Sequence, residues 1–208
     1  MRRMYKIIKR LFDIISSVAL FVVISPFFFL MMIIVRIKIG KPIFFHQIRS
    51  GRRQKPFNLI KFRTMTNETD SNGVLLPDDK RRTKFGSWLR SSSLDELPEL
   101  LNIIKGDMSV IGPRPLPPSY DLYYTEREKK RFEVRGGLIS PESVDANPFI
   151  SWDEQLEYDA KYVESLSIKS DVKIFFTVFL MLFKRYETNL GSWTRKPLNV
   201  ERDKTGKI

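Results

Sequence analysis

The sequence contains no cysteine. Disulfides, thiolate nucleophiles and cysteine-held metals are therefore excluded, and the composition suits a reducing compartment. Histidine is nearly absent too, with His46 alone, so a histidine-based metal cluster is ruled out. Catalysis, if any, falls to carboxylates, basic groups or a hard metal ion. Acidic side chains are missing between Asp13 and Glu68, whereas Arg36–Arg63 carries nine Lys or Arg residues. The formal net charge of +12 implies an anionic partner: nucleic acid, acidic lipid or a phosphorylated substrate. A basic belt beside an apolar segment points first to lipid headgroups.

That apolar segment is Ile14–Val35, 22 residues without a charge. It is long enough to cross a hydrocarbon core of about 30 Å as a helix. It exceeds the usual core of a signal peptide, and Arg36, Lys38 and Lys41 follow it rather than a small-residue cleavage site. Arg2, Arg3, Lys6, Lys9 and Arg10 precede it. Basic residues favour the cytoplasm, so both ends prefer the same side. A hairpin satisfies both, and it requires a helix break near the middle of the run. Ser25-Pro26 stands there. Proline removes a backbone donor, and a neighbouring serine can serve the freed carbonyl. A kinked ordinary span is the competing reading.

Beyond Arg36, short apolar strings alternate with turn residues. Strands are expected from Pro42-Ile43-Phe44-Phe45 and over Phe57–Phe62, with a loop over Thr66–Lys80. Helices are expected over Thr83–Leu89 and Leu94–Ile104, the second closed by Lys105-Gly106. Met108–Ile111 is a short apolar stretch, and residues 119–133 and Trp152–Tyr162 read as charged, exposed helices. Ile174–Phe183 is too short to span a bilayer. It reads as a buried core helix or as an interfacial one. From Tyr186 onward the chain reads as a polar, poorly ordered tail.

Three stretches carry candidate chemistry. Ser93-Leu94-Asp95-Glu96-Leu97-Pro98 has the spacing of a capping box, Ser93 with Glu96. It also sets two carboxylates at a helix start, where one can attack phosphorus and the other hold a divalent metal. Arg114 stands between Pro113 and Pro115, so its backbone is restricted and its guanidinium suits a phosphate clamp. In Lys61-Phe62-Arg63-Thr64-Met65, strand alternation puts Lys61 and Arg63 on one face and Phe62 on the other. Each stretch alone has a plain alternative: a helix cap, a solvated loop arginine, a solvated strand edge.

Taken in order, Lys61–Met65, Ser93–Pro98, Lys105-Gly106-Asp107-Met108-Ser109 and Gly112–Pro115 resemble the bacterial sugar transferase family, the monotopic phosphoglycosyl transferases. Lys9-Arg10 with Asp13-Ile14, and Ser25-Pro26, resemble that family's N-terminal anchor. Asn72–Asp79, Ile150-Ser151-Trp152 and Glu157-Tyr158-Asp159 are similar to the branch that begins bacterial N-linked glycosylation with diacetylated bacillosamine. The resemblance implies a helix-rich α/β fold. It divides into a re-entrant anchor over residues 1–40, broken at Ser25-Pro26, a cytosolic and interfacial domain over 41–185 with amphipathic helices, and the tail over 186–208.

It also implies transfer of a sugar-1-phosphate from a UDP-sugar to a polyprenol phosphate, undecaprenyl phosphate being the usual bacterial carrier, with release of UMP. Asp95 matches the nucleophile that carries the phosphosugar, and Glu96 its dyad partner, with Mg²⁺ held at the dyad. Arg114 matches a phosphate-contacting arginine, and Lys61 and Arg63 the basic strand. The expected location is the cytoplasmic face of the bacterial inner membrane. Membrane lipids and downstream glycosyltransferases are the further partners; nucleic acid is not one.

One stretch departs from the family. Residues 135–147 keep Arg135, Gly137 and Val144 of the usual Arg-Pro-Gly-(Ile/Leu)-Thr-Gly-(Leu/Trp)-Ala-Gln-Val-Asn-Gly-Arg pattern but lack its amide and final arginine. Arg135 is taken as substrate-binding, and the departure implies either a changed sugar preference or lost activity, the intact dyad opposing the second. Glu99 stands where glutamine is common. The readings from other classes are a non-enzymatic membrane-surface adaptor, a nucleic-acid-binding domain and a polytopic transferase. The adaptor leaves the ordered motifs unexplained, the apolar run opposes the second, and a single run of spanning length opposes the third.

Overall fold

The computed structural model describes residues 2–145, 150–184 and 195–205. The chain is a helix-rich α/β protein. In order it forms α1 (Arg2–Lys38), β1 (Phe44–Ser50), β2 (Pro56–Phe62), α2 (Asp78–Arg81), α3 (Lys84–Ser91), α4 (Glu99–Lys105), β3 (Met108–Ile111), β4 (Gly136–Ile139), α5 (Trp152–Glu164), α6 (Ile168–Lys184) and α7 (Leu198–Thr205). Short 3-10 turns, among them Leu94–Glu96, lie between these elements. Two compact units result. One comprises Ile14–Gln47 and Asn58–Lys105, the other Met1–Asp13, Ile48–Phe57 and Gly106–Ile208.

In the first of these units, Phe28, Met31 and Val35 recur at helical spacing and form the buried stripe of α1, which Ile39 continues just past its end. Phe62 and Leu89 complete that core. Phe62 meets Phe28 at 5.1 Å and Phe44 at 5.6 Å between ring centroids, so the apolar face of β2 is the one opposite Lys61. The remaining faces of α1 stay apolar and open, with Val22, Val23, Phe29, Leu30, Ile33 and Ile37 exposed. By length and composition α1 can cross a membrane. Helix runs through Pro26. Lacking an N–H, Pro26 leaves the carbonyl of Val22 without its helical donor. The Ser25 hydroxyl donates to that carbonyl at 2.8 Å. Thr83 caps α3, its hydroxyl accepting from Gly86 N at 2.9 Å.

In the other unit, β3 and β4 pair in parallel, Ser109 opposite Gly137. A side chain at Gly137 would meet Gly112 N at 2.1 Å, which is why this position takes only glycine. Ile111, Val134, Tyr162, Val163, Leu166 and Ile174 form one core; Leu116, Tyr124, Phe132, Trp152, Leu156 and Leu198 form a second. The first turns of α1 join this unit. Tyr5 Oη and Lys9 Nζ each lie 2.6 Å from Asp171 Oδ2 of α6, and Asp13 accepts from Ser109 Oγ at 2.7 Å.

Several sequence readings need correction. Residues 119–133 are not one exposed helix but two 3-10 turns, Pro118–Tyr123 and Glu128–Glu133, with Glu128, Arg131 and Phe132 buried. Trp152–Tyr162 lies within α5, but Trp152, Gln155, Leu156, Asp159, Ala160 and Tyr162 are buried. In both places a buried charge that looks solvated in sequence is paired across elements, Glu128 with Arg202 and Asp159 with Arg131. Part of the supposed tail is ordered: α7 buries Leu198, and Arg202 joins Glu128 at 2.7 Å and Asp153 at 2.9 Å. Arg195 lies 3.5 Å from the Trp152 ring centroid. Residues 185–194 and 206–208 of that stretch, and Ala146 and Asn147 of the altered loop, lie outside the described residues. In α6, Ile174 faces the core while Val172, Phe175, Phe176, Phe179 and Leu180 are exposed, so a wholly buried helix does not describe it.

Candidate active site

The capping box expected from Ser93 and Glu96 does not form. Ser93 takes the left-handed conformation, φ 57° and ψ 14°, and its side chain makes no cap bond. Such a conformation is costly for a residue other than glycine and gathers at functional sites. It turns the chain from α3 into the 3-10 turn Leu94–Glu96, which presents Asp95 and Glu96.

Lys61, on β2, reaches that turn. Its ammonium lies 2.6 Å from Glu96 Oε1 and 3.1 Å from Glu99 Oε1. Asn102 fixes the register that allows this. Its Oδ1 accepts from Ile60 N at 3.0 Å and its Nδ2 donates to Asn58 O at 2.7 Å, tying α4 to the strand that carries Lys61. Asn102 is missed by the sequence reading; the signal was an amide inside the apolar run of α4.

Asp95 is 7% exposed. Burial pushes its carboxyl above the ordinary value; Lys61 opposes that push, Glu96 adds to it and Arg90 opposes it. Arg90 is the second residue that sequence reasoning missed. It stands in the last turn of α3 and donates to Thr64 Oγ1 at 3.2 Å. With Thr64, Arg82, Ser87 and Ser91 it lines a cavity of about 240 Å³. A cation in the last helical turn before Ser93–Pro98 was the available sign.

The other candidates are placed as follows. Arg63 lies just beyond β2 and donates to Lys41 O at 2.7 Å and Asn67 Oδ1 at 2.6 Å; the structure does not bring it to the dyad. Arg114 is exposed, and its carbonyl accepts from Arg131. Arg135 is half-buried and donates through Nε to Gly106 O at 2.8 Å. Both arginines belong to the unit built on β3 and β4. Ser25 and Pro26 lie on α1 as described. A buried carboxylate flanked by a second acid and by cations is a constellation suited to attack on a phosphoryl group.

Comparison with known proteins agrees with this class of site. Residues 4–185 match the bacterial sugar transferase family, and the chain belongs to that family. It is 46% identical over 168 residues to the "Uncharacterized sugar transferase EpsL" of Bacillus subtilis, covering 81% of this chain and 83% of that one. It is 34% identical over 185 residues to the exopolysaccharide production protein ExoY of Sinorhizobium fredii, covering 81% and 82%. It is also 34% identical over 190 residues to the UDP-glucose:undecaprenyl-phosphate glucose-1-phosphate transferase of Klebsiella pneumoniae, covering 86% of this chain but 40% of that relative.

Proposed function

We propose that the chain transfers a sugar-1-phosphate from a UDP-sugar to a polyprenol phosphate, through a phosphosugar held covalently on Asp95. The observation that carries this reading is the buried Asp95 carboxyl, presented on the 3-10 turn that follows left-handed Ser93 and under the influence of Glu96, Lys61 and Arg90. An Asp95 oxygen attacks the sugar-bearing phosphorus. The bond from that phosphorus to the bridging oxygen breaks, and UMP leaves. An oxygen of the polyprenol phosphate then attacks the same phosphorus and frees Asp95, giving a polyprenyl diphosphate sugar for downstream glycosyltransferases. Lys61 and Arg90 favour the ionised form of the buried carboxylate, and Arg114 is the arginine that the family resemblance assigns to phosphate. Because both steps are attacks on phosphorus by anionic oxygens, no histidine base is required.

Asp95 and Glu96 fit a magnesium ion by donor chemistry. Mg²⁺ is commonly held by one or two carboxylates together with waters and substrate phosphates. Among the described residues no group of three or more His, Cys, Asp or Glu side chains gathers; the dyad would hold the ion together with substrate oxygens, as the family resemblance implies. When bound, the ion would neutralise charge on the diphosphate.

The reading places the chain at the cytoplasmic face of the inner membrane, with α1 entering and leaving on one side. The basic flanks and the Ser25-Pro26 pair support this, although the helix itself continues through Pro26. The exposed apolar side of α6 supports an interfacial helix there. UDP-glucose is the first donor to try, since the Klebsiella pneumoniae relative is named for it. UMP release from a panel of UDP-sugars, with undecaprenyl phosphate and Mg²⁺, tests the function. Wild-type release that Asp95→Asn abolishes supports it; equal release by the two proteins refutes the role of Asp95, and silence of both across the panel favours the adaptor.

A further inference from the structure

Arg10, Arg52 and Arg135 line one cavity of about 460 Å³ within the unit built on β3 and β4. With Lys6 and Lys9, five cationic side chains line it against two carboxylates, Asp13 and Glu133. Asp13 lies 3.9 Å from Lys9 and, with Asp107, supports the charge of Arg135, but among the lining residues the cations stay in excess. Asp13 is 2% exposed and accepts from Ser109 Oγ at 2.7 Å and Val110 N at 3.1 Å. Glu133 is exposed, where solvent and salt screen it. Lys9 lies 2.6 Å from Asp171, but the arginines repel one another. Burial and then Arg135 lower the affinity of Arg52 for its proton; burial and then Arg10 do the same at Arg135. The Nε of Arg52 is buried and has no hydrogen-bond partner among the described residues. Crowded like charges and an orphaned donor both cost stability unless an anion joins them. Guanidinium forks match phosphate oxygens in geometry as well as charge.

We propose that Arg10, Arg52 and Arg135 form a binding site for a phosphate-bearing anion. The site contains no residue of the dyad and does not depend on the role of Asp95. It gives Arg135 two partners in phosphate recognition, neither of which the motifs of the sequence single out for that role. The same chemistry has two sources: the headgroup of an anionic phospholipid, whose chains would meet the exposed Ile7 and Leu11 beside the cavity, or a free phosphate from solution.

Thermal melts of the full chain in dodecyl maltoside, whose headgroup carries no phosphate, test the proposal. Inorganic phosphate or phosphatidylglycerol is titrated into wild type, Arg52→Gln and Asp95→Asn. The site predicts a rise in Tm for wild type and Asp95→Asn, and an apparent affinity at least about tenfold weaker in Arg52→Gln. It also predicts that Arg52→Gln, free of anion, melts no lower than wild type. A response to inorganic phosphate identifies the soluble source, and a response to phosphatidylglycerol alone identifies the lipid. Equal shifts in wild type and Arg52→Gln, or no shift with either probe, overturn the proposal. Arg10→Gln gives the same comparison if Arg52→Gln does not fold.

Discussion

Lys61 Nζ lies 2.6 Å from Glu96 Oε1, joining the basic face of β2 to the turn that presents Asp95. Lys61 is also 3.1 Å from Glu99, so one ammonium serves two carboxylates next to a third. Lys61→Met is expected to destabilise the fold by about 3–5 kcal/mol, the cost of stranding a mostly buried charge. It also removes the strongest influence opposing burial at Asp95, so the carboxyl rises further. The acid limb of the kcat/KM–pH profile then moves to higher pH. Urea unfolding and a pH–rate profile check both effects; an unmoved limb would separate Lys61 from the ionisation of Asp95.

Asp95 itself opposes stability at neutral pH. Its folded carboxyl titrates above the ordinary value, so between about pH 4 and that raised value the native state binds more protons than the unfolded chain. Stability therefore falls as pH rises through that window. Asp95→Asn lacks this slope, and its Tm is expected to exceed that of wild type at pH 7, the gap narrowing as pH falls toward about 4. Melts of the metal-free proteins at the two pH values check the sign.

Some features of the structure are legible in the sequence because their cues are local. Pro26 announces an unserved carbonyl, Ser93–Pro98 sets two acids side by side, and Phe62 opposite Lys61 fixes the faces of β2. The cues fail where a partner comes from afar. Glu128 looks like one charge on a solvated helix, yet it is buried with Arg202, 74 residues away. β4 was not foreseen, since Gly136-Gly137-Leu138-Ile139 offers little strand propensity and is held by close backbone approach to Gly112. The capping-box spacing misled for another reason. Spacing cannot show that Ser93 is left-handed.

The α7 attachment makes a separate prediction. Burial alone would raise the Glu128 carboxyl, but its bonds with Arg202 and Thr125 bring it below the ordinary value. Arg202→Ala strands that buried carboxylate at an expected cost of about 3–5 kcal/mol. The paired state stabilises above the ordinary glutamate range and is lost as pH falls through the lowered value. Urea midpoints at pH 7 measure the loss, and an unchanged midpoint would mean that the Arg202–Glu128 pair contributes nothing to the fold.

The absence of cysteine makes the path of α1 directly measurable. Met4→Cys and Ile37→Cys replace exposed residues near its two ends. A membrane-impermeant thiol reagent applied to inside-out vesicles should label both if the helix enters and leaves on one side. Labelling of one position from each side would instead establish a span.

The covalent role of Asp95 is tested most directly by withholding the acceptor. Protein, Mg²⁺ and a UDP-sugar that supports turnover are mixed without polyprenol phosphate, and UMP and intact protein mass are followed. The account predicts a burst approaching one UMP per active protein, a phosphosugar adduct mapping to the peptide that contains Asp95, and neither in Asp95→Asn. A productive donor that yields UMP only when both substrates are present, with no adduct, would contradict it and indicate direct transfer between them.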